Sequence, residues 1–302
     1  MTVTLCDLAT RLPLLVGRLL DREAKLKRGR FREETMTDLL TGALAAFAGP
    51  ELLIEYPPEA ATGGDLDLRF WHAASGRDLY LRLQAKRLGA AMHNGKPVKL
   101  AHRAYGELLH RPNKSAPYQY LTLASAPAPW FPLYMFYNHQ TVVDDPAYAG
   151  ACPTLSGINL AFAADVRAEL DRKVTAAAAV PRRILHHKRL DHLRPHYFGL
   201  ESILCPGGNL GGEGVPTPDR VSETLRQRWN DRDGIRKTVD EQMLRRLLEP
   251  GRLGSRREGR GRPADGPAVR ITHSVEFPTV TFISGRTEDA RTPVISKGSA
   301  RD

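Results

Sequence analysis

The chain has 302 residues, 41% of them hydrophobic, enough for one sizeable core and an appendage. Its formal net charge of +10 makes a polyanion, nucleic acid above all, the simplest partner, although part of the excess sits in an Arg/Gly-rich stretch at 252–262. Cys6, Cys152 and Cys205 are scattered, odd in number and form no C-x-x-C pair, which argues against a disulfide scaffold or zinc knuckle and for a reducing, cytoplasmic setting.

Leu5, Leu8, Leu12, Leu15 and Leu19 recur at helical spacing and predict a helix over 3–30, with Pro13 expected to break or kink it. The apolar run 12–20 inside it falls far short of the ~20 residues that a membrane span needs, and no signal peptide pattern surrounds it. A second helix is expected over 33–48, stopped by Gly49-Pro50, then a strand over 52–56 closed by Pro57-Pro58. Leu66, Leu68 and Phe70 alternate with Asp65, Asp67, Arg69 and Trp71. Leu79, Leu81, Leu83 and Ala85 alternate with Tyr80, Arg82, Gln84 and Lys86. Both runs have strand periodicity, with turn residues Ser75-Gly76 between them. A helix over 118–125, an apolar strand over 132–137 and a helix over 160–173 complete the expected domain. Together these predict an α/β fold, a mixed central sheet flanked by helices, over residues 1–206. Residues 207–302 read as a flexible Gly-rich linker, a charged helix over 221–248, a poorly ordered basic tail and a late strand pair within 269–284.

The hairpin carries the chemistry. Residues two apart in a strand share a face, so Asp65 and Asp67 point one way, as do Gln84 and Lys86. A hairpin symmetric about Ser75-Gly76 sets Asp65 opposite Lys86 and Asp67 opposite Gln84, and that register also buries the leucines. Two carboxylates, an amide oxygen and an ammonium on one face suit Mg²⁺ beside a cationic group. Alternating polar residues on a half-exposed strand are also an ordinary surface, and spacing alone does not separate the two readings.

Further motifs surround this face. Gly63-Gly64-Asp65-Leu66-Asp67, then Leu83-Gln84-Ala85-Lys86-Arg87-Leu88, resembles the G-x-D and Q-A-K-R elements of the PD-(D/E)XK nucleases in their Q-x-K branch. Glu33-Glu34-Thr35-Met36-Thr37-Asp38 looks like the E-E-[ST]-x-T helix of such proteins, and Pro132-Leu133-Tyr134-Met135-Phe136-Tyr137-Asn138 like a P-L-Y-x-F-Y-N strand of an uncharacterised bacterial family among them. The resemblance implies a restriction-endonuclease-like fold and Mg²⁺-dependent phosphodiester hydrolysis on nucleic acid, with Mn²⁺ as a substitute. DNA is the implied substrate, bacterial defence or genome maintenance the implied setting, and a homodimer is compatible with it. It assigns metal binding to Asp65 or Asp67, to Gln84, and to Glu33 or Glu34, with Lys86 at the reaction centre. Glu33 falls on the apolar helix face of Met36, Leu40 and Leu44 and is the preferred acid. Arg82, Arg87 and the basic patch His186, His187 and Lys188 are the expected nucleic-acid contacts. Gln84 replaces the more familiar acid, so a catalytically inactive nucleic-acid-binding module is the alternative. His192 and His196 have zinc-like spacing, but Pro195 interrupts it and no further ligand accompanies them. Trp71, Tyr118, Tyr120 and Trp130 read as packing residues rather than base-stacking ones.

Overall fold

The structure, a computed structural model, describes residues 4–25, 31–47, 52–55, 66–89, 92–93, 96–111, 113, 115–126, 128–178, 189–208, 214–230, 251–252 and 278–285. Helix α1 (Leu5–Asp21) opens on a capping box: the Asp7 N–H donates to Thr4 Oγ1 at 3.1 Å, and the Thr4 N–H donates to the Asp7 carboxylate at 2.9 Å. Pro13 lies inside this helix without ending it. Leu5, Ala9, Leu12, Val16 and Leu20 form one buried stripe, and their packing outweighs the single hydrogen bond that Pro13 cannot donate. Helix α2 (Glu33–Phe47) presses Met36, Leu40 and Leu44 into the same core.

The strands are β1 (Leu52–Glu55), β2 (Leu66–His72), β3 (Arg77–Arg87), β4 (Met92–His93), β5 (Lys96–Pro97), β6 (Trp130–Tyr137), β7 (Ile158–Phe162), β8 (Phe198–Gly199), β9 (Gly251–Arg252) and β10 (Thr279–Ser284). An eight-stranded mixed sheet runs β1-β10-β2-β3-β6-β7-β8, with β9 paired to β3, while β4 and β5 pair separately. One face carries Leu66, Leu68, Phe70, Leu79, Leu81, Leu83, Phe131, Leu133 and Met135. It is covered by α1, α2 and α8 (Pro218–Asn230), whose Val221, Leu225 and Trp229 are buried there. Each such side chain contributes roughly 1.5–3 kcal/mol by leaving water. Over β6 and β7 the other face is closed by α3 (Gln119–Ala124), α5 (Ala163–Ala178) and α6 (Leu190–Leu193). Two one-turn helices, α4 (Gln140–Val143) and α7 (Glu201–Leu204), complete the described elements.

The expected order of helix, strand, hairpin, helix and strand is observed, with three differences. Residues 160–162, the start of an expected helix, belong to β7, and α5 begins only at Ala163. A short apolar run buried on both faces has no periodicity that separates strand from helix. The expected boundary at 206/207 does not bound the sheet, because β10 inserts between β1 and β2, antiparallel to the first and parallel to the second. Only one strand of the late pair is described, and the 231–248 part of the expected charged helix, the 253–277 stretch and 286–302 lie outside the described residues. Third, the cysteines are not all free: a disulfide joins Cys6 of α1 to Cys205 after α7, with Cα atoms 4.9 Å apart. Their separation of 199 residues hid this pairing, which only helix docking creates. Among the described residues no helix is long and apolar enough to cross a membrane.

Candidate functional site at the end of strand β3

The polar face of β3 carries Asp78, Tyr80, Arg82, Gln84 and Lys86, set opposite Trp71, Arg69 and Asp67 of β2. The register differs from the symmetric hairpin by two residues: Asp67 stands opposite Arg82, not Gln84. The cause is the loop 73–76. Gly76 adopts φ 66°, its N–H donates to the His72 carbonyl at 2.9 Å, and the Ser75 hydroxyl lies 2.8 Å from His72 Nδ1. These contacts close a longer loop than two central turn residues would. A shift of two keeps every side chain on its expected face, so the leucine core is unaffected.

The shift decides what Asp67 does. At 2% exposure it accepts two hydrogen bonds from Arg82, from Nε at 3.0 Å and from Nη2 at 2.9 Å. The Arg82 guanidinium also lies 4.5 Å from the centre of the Trp130 ring. Neither Asp67 as an expected metal ligand nor Arg82 as an expected nucleic-acid contact is presented openly. Each holds the other, and Trp130 packs as expected.

Farther along the face the arrangement differs. Lys86 Nζ is 3.3 Å from Glu33 Oε2, and Glu33 Oε1 accepts the Arg87 backbone N–H at 3.0 Å. Helix α2 thus delivers Glu33 to the site, while Glu34 is exposed at the rim. Burial holds the Glu33 carboxyl above its ordinary pKa, against the opposing pull of Lys86 and the Arg87 N–H. Gln84 is 1% exposed, and its side-chain oxygen has no hydrogen-bond partner among the described residues. A buried acceptor left without a donor costs about 1–3 kcal/mol, so a ligand at this atom is a physical expectation.

A cavity of about 350 Å³ opens beside Glu33, lined by Arg32, Glu33, Glu34, Arg87, Gly89, Gly106 and Glu107. Arg87 Nη1 donates to Glu23 at 2.5 Å, and behind Gly89 the Arg103 Nε donates to the Gly89 carbonyl at 2.9 Å. Beyond them His139 Nδ1 is 3.4 Å from Asp21 Oδ1. Burial, with Arg103 adding to it, lowers the His139 pKa to about 4 against the pull of Asp21. This contact therefore joins a neutral imidazole to a carboxylate at neutral pH. Sequence reasoning missed Arg32, Glu107, Arg103 and His139, because no local pattern marks residues that only the sheet end brings together. Asp65, His186, His187 and Lys188 lie outside the described residues.

For a divalent cation, the described residues offer hard oxygen donors in the Glu33 carboxylate and the unpartnered Gln84 oxygen, a set that suits Mg²⁺ or Mn²⁺. No three of His, Cys, Asp and Glu converge among the described residues, His192 and His196 included.

Fold and site together define a mixed α/β protein with a lysine–carboxylate–amide cluster at the end of a central strand. The chain belongs to a family of unknown function, DUF6615, whose model matches residues 5–289. That span takes in β10 as well as α1. No significant match was found among curated proteins or solved structures.

Proposed function

We propose that this chain is a metal-dependent phosphodiesterase acting on nucleic acid, with DNA the substrate class to test first. The observation that carries the reading is the end of β3: Lys86 held 3.3 Å from Glu33, beside a buried Gln84 oxygen without a partner among the described residues. The resemblance of its G-x-D and Q-A-K-R motifs to the Q-x-K branch of the PD-(D/E)XK nucleases supports the same reading, as does the net charge of +10.

In this reading Glu33 and Gln84 hold the cation, and the resemblance adds Asp65. A bound Mg²⁺ supplies a water of lowered pKa and polarises a phosphoryl oxygen. Glu33 fixes the Lys86 ammonium against the strand end, so no side-chain search is needed when negative charge grows on the phosphoryl group. Arg32 and Arg87 in the adjacent cavity provide guanidinium groups for a neighbouring phosphate. A homodimer belongs to the same proposal, whereas the Cys6–Cys205 disulfide runs against the reducing, cytoplasmic setting expected from scattered cysteines.

The test is incubation of the purified chain with plasmid, linear and single-stranded DNA, with Mg²⁺, Mn²⁺ or EDTA. Cleavage that needs metal and is lost in Lys86→Ala is expected. Cleavage undiminished by EDTA would falsify the proposal. Salt-sensitive DNA binding without cleavage under any metal would favour a nucleic-acid-binding module instead, the reading that the Asp67–Arg82 pairing favours.

A further inference from the structure

Thr37, which ends the E-E-T-M-T helix motif, and Tyr137, the last tyrosine of the P-L-Y-x-F-Y-N strand, have no role in the chemistry described above. The fold joins them. Their hydroxyl oxygens lie 3.0 Å apart, and both residues are buried. The Thr37 hydroxyl also donates to the Glu33 carbonyl at 3.0 Å. One hydroxyl hydrogen does not serve two acceptors, so the Tyr137 O–H is the donor to Thr37. A line of hydrogen bonds thus runs from the end of β6 through Thr37 to the backbone of Glu33.

Tyr137 holds the other half of the site as well. It pairs with Arg87 in the β3–β6 register, and its carbonyl accepts the Leu88 N–H at 2.9 Å. The Arg87 N–H, one residue earlier, donates to Glu33 Oε1 at 3.0 Å. Glu33 is therefore tied at both ends: its carbonyl through Thr37 to Tyr137, its carboxylate to the strand that Tyr137 pairs with. These ties meet a specific difficulty. Helix α2 packs on the leucine face, whereas Lys86 belongs to the polar face. Among the described residues β2 begins only at Leu66, opposite Leu83, so Glu33 reaches Lys86 beyond the start of that strand. Glu33 is also the first residue of α2, and helix ends fray. A small displacement of this turn separates carboxylate from ammonium.

We infer that Thr37 and Tyr137 are positioning residues of the site: their hydroxyl pair fixes the first turn of α2 so that Glu33 meets Lys86 and the Arg87 N–H. The inference rests on the Glu33–Lys86 site of the proposed function but not on catalysis. A pair that served packing alone would satisfy two buried hydroxyls and leave Lys86 indifferent to their removal.

The deciding variant removes both hydroxyls, Thr37→Val with Tyr137→Phe. Neither hydroxyl is then left stranded, so the urea unfolding midpoint is expected to stay near that of the parent. Trace acetylation of the full chain with acetic anhydride, read by mass spectrometry, compares Lys86, whose side chain is 4% exposed, with the exposed Lys99. In the double variant Lys86 is expected to react about fivefold faster than in the parent, the effect of losing one hydrogen bond, with Lys99 unchanged. Tyr137→Phe alone, which leaves the Thr37 bond to Glu33 in place, is expected to give about a twofold rise. Thr37→Ser, which keeps the hydroxyl, is expected to label like the parent. Unchanged Lys86 reactivity in both the double variant and Tyr137→Phe overturns the inference. A rise shared equally by Lys99 also overturns it, because that marks general loosening. A rise confined to Lys86 in a chain that cleaves no DNA sustains the inference and removes the catalytic reading alone.

Discussion

Arg82 and Lys86 share one face of β3 with only Gln84 between them on that face, and they have different surroundings. Arg82 is held by a doubly hydrogen-bonded, buried Asp67 and lies over Trp130. Among the described residues Lys86 has one carboxylate contact, at 3.3 Å, an unpartnered amide oxygen beside it and an open cavity beyond its partner Glu33. The first arrangement is closed, with both charges answered by each other. The second retains donor and acceptor capacity that the described residues do not use. Residue type alone therefore does not mark a site: an Asp–Arg pair and a Glu–Lys pair on one strand divide into scaffold and candidate chemistry by how completely their partners satisfy them.

The largest expected effect is at the closed pair. Asp67→Ala should cost about 3–5 kcal/mol in urea unfolding, because it strands a largely buried guanidinium. Replacing both partners, Asp67→Asn with Arg82→Met, should recover much of that loss. A single Asp67→Ala that costs less than about 1 kcal/mol would mean the pair behaves like an exposed one and the contrast fails.

A smaller effect is expected at His139, on the inner side of the arginine cluster. Its pKa falls from 6.5 to about 4 on folding, so the unfolded chain binds the extra proton between those values. Its contribution is then fully present above pH 6.5 and is lost as pH falls towards about 4. The shift corresponds to about 3 kcal/mol at most. Urea midpoints measured across this range should fall with pH in the parent and fall less in His139→Gln. Identical slopes would remove His139 from the account.

The smallest effect has the opposite sign. Gln84→Leu should stabilise the metal-free chain by about 1 kcal/mol, since it replaces an unsatisfied buried oxygen with an apolar group of similar size. The same variant should lose cation affinity. Destabilisation instead would show that Gln84 has a structural role like that of Asp67, and the open end of the face would then be closed as well.

Much of this site was legible along the chain. Strand periodicity assigned Gln84 and Lys86 to one face, and the helical face of Met36, Leu40 and Leu44 selected Glu33 over Glu34, which is where Lys86 meets its partner. Pattern carries such information because the core must be buried, and burial dictates which face each residue takes. The hairpin register was not legible. A shift of two residues leaves every face unchanged, so hydrophobicity cannot detect it, and the loop contacts of His72, Ser75 and Gly76 decide it. That shift moved Asp67 from Gln84 to Arg82.

What the sequence by itself determined is the α/β class and the leucine face of the hairpin, consequences of local periodicity and apolar burial, while Glu33 and Lys86 were linked by what the motif resemblance implies. Only the tertiary structure decided that Thr279–Ser284 completes the sheet between β1 and β2, that Cys6 meets Cys205, and that Glu107 lines the same cavity as Glu33. Each of these joins residues far apart in the chain, whose proximity follows from packing and leaves no periodic trace in the sequence.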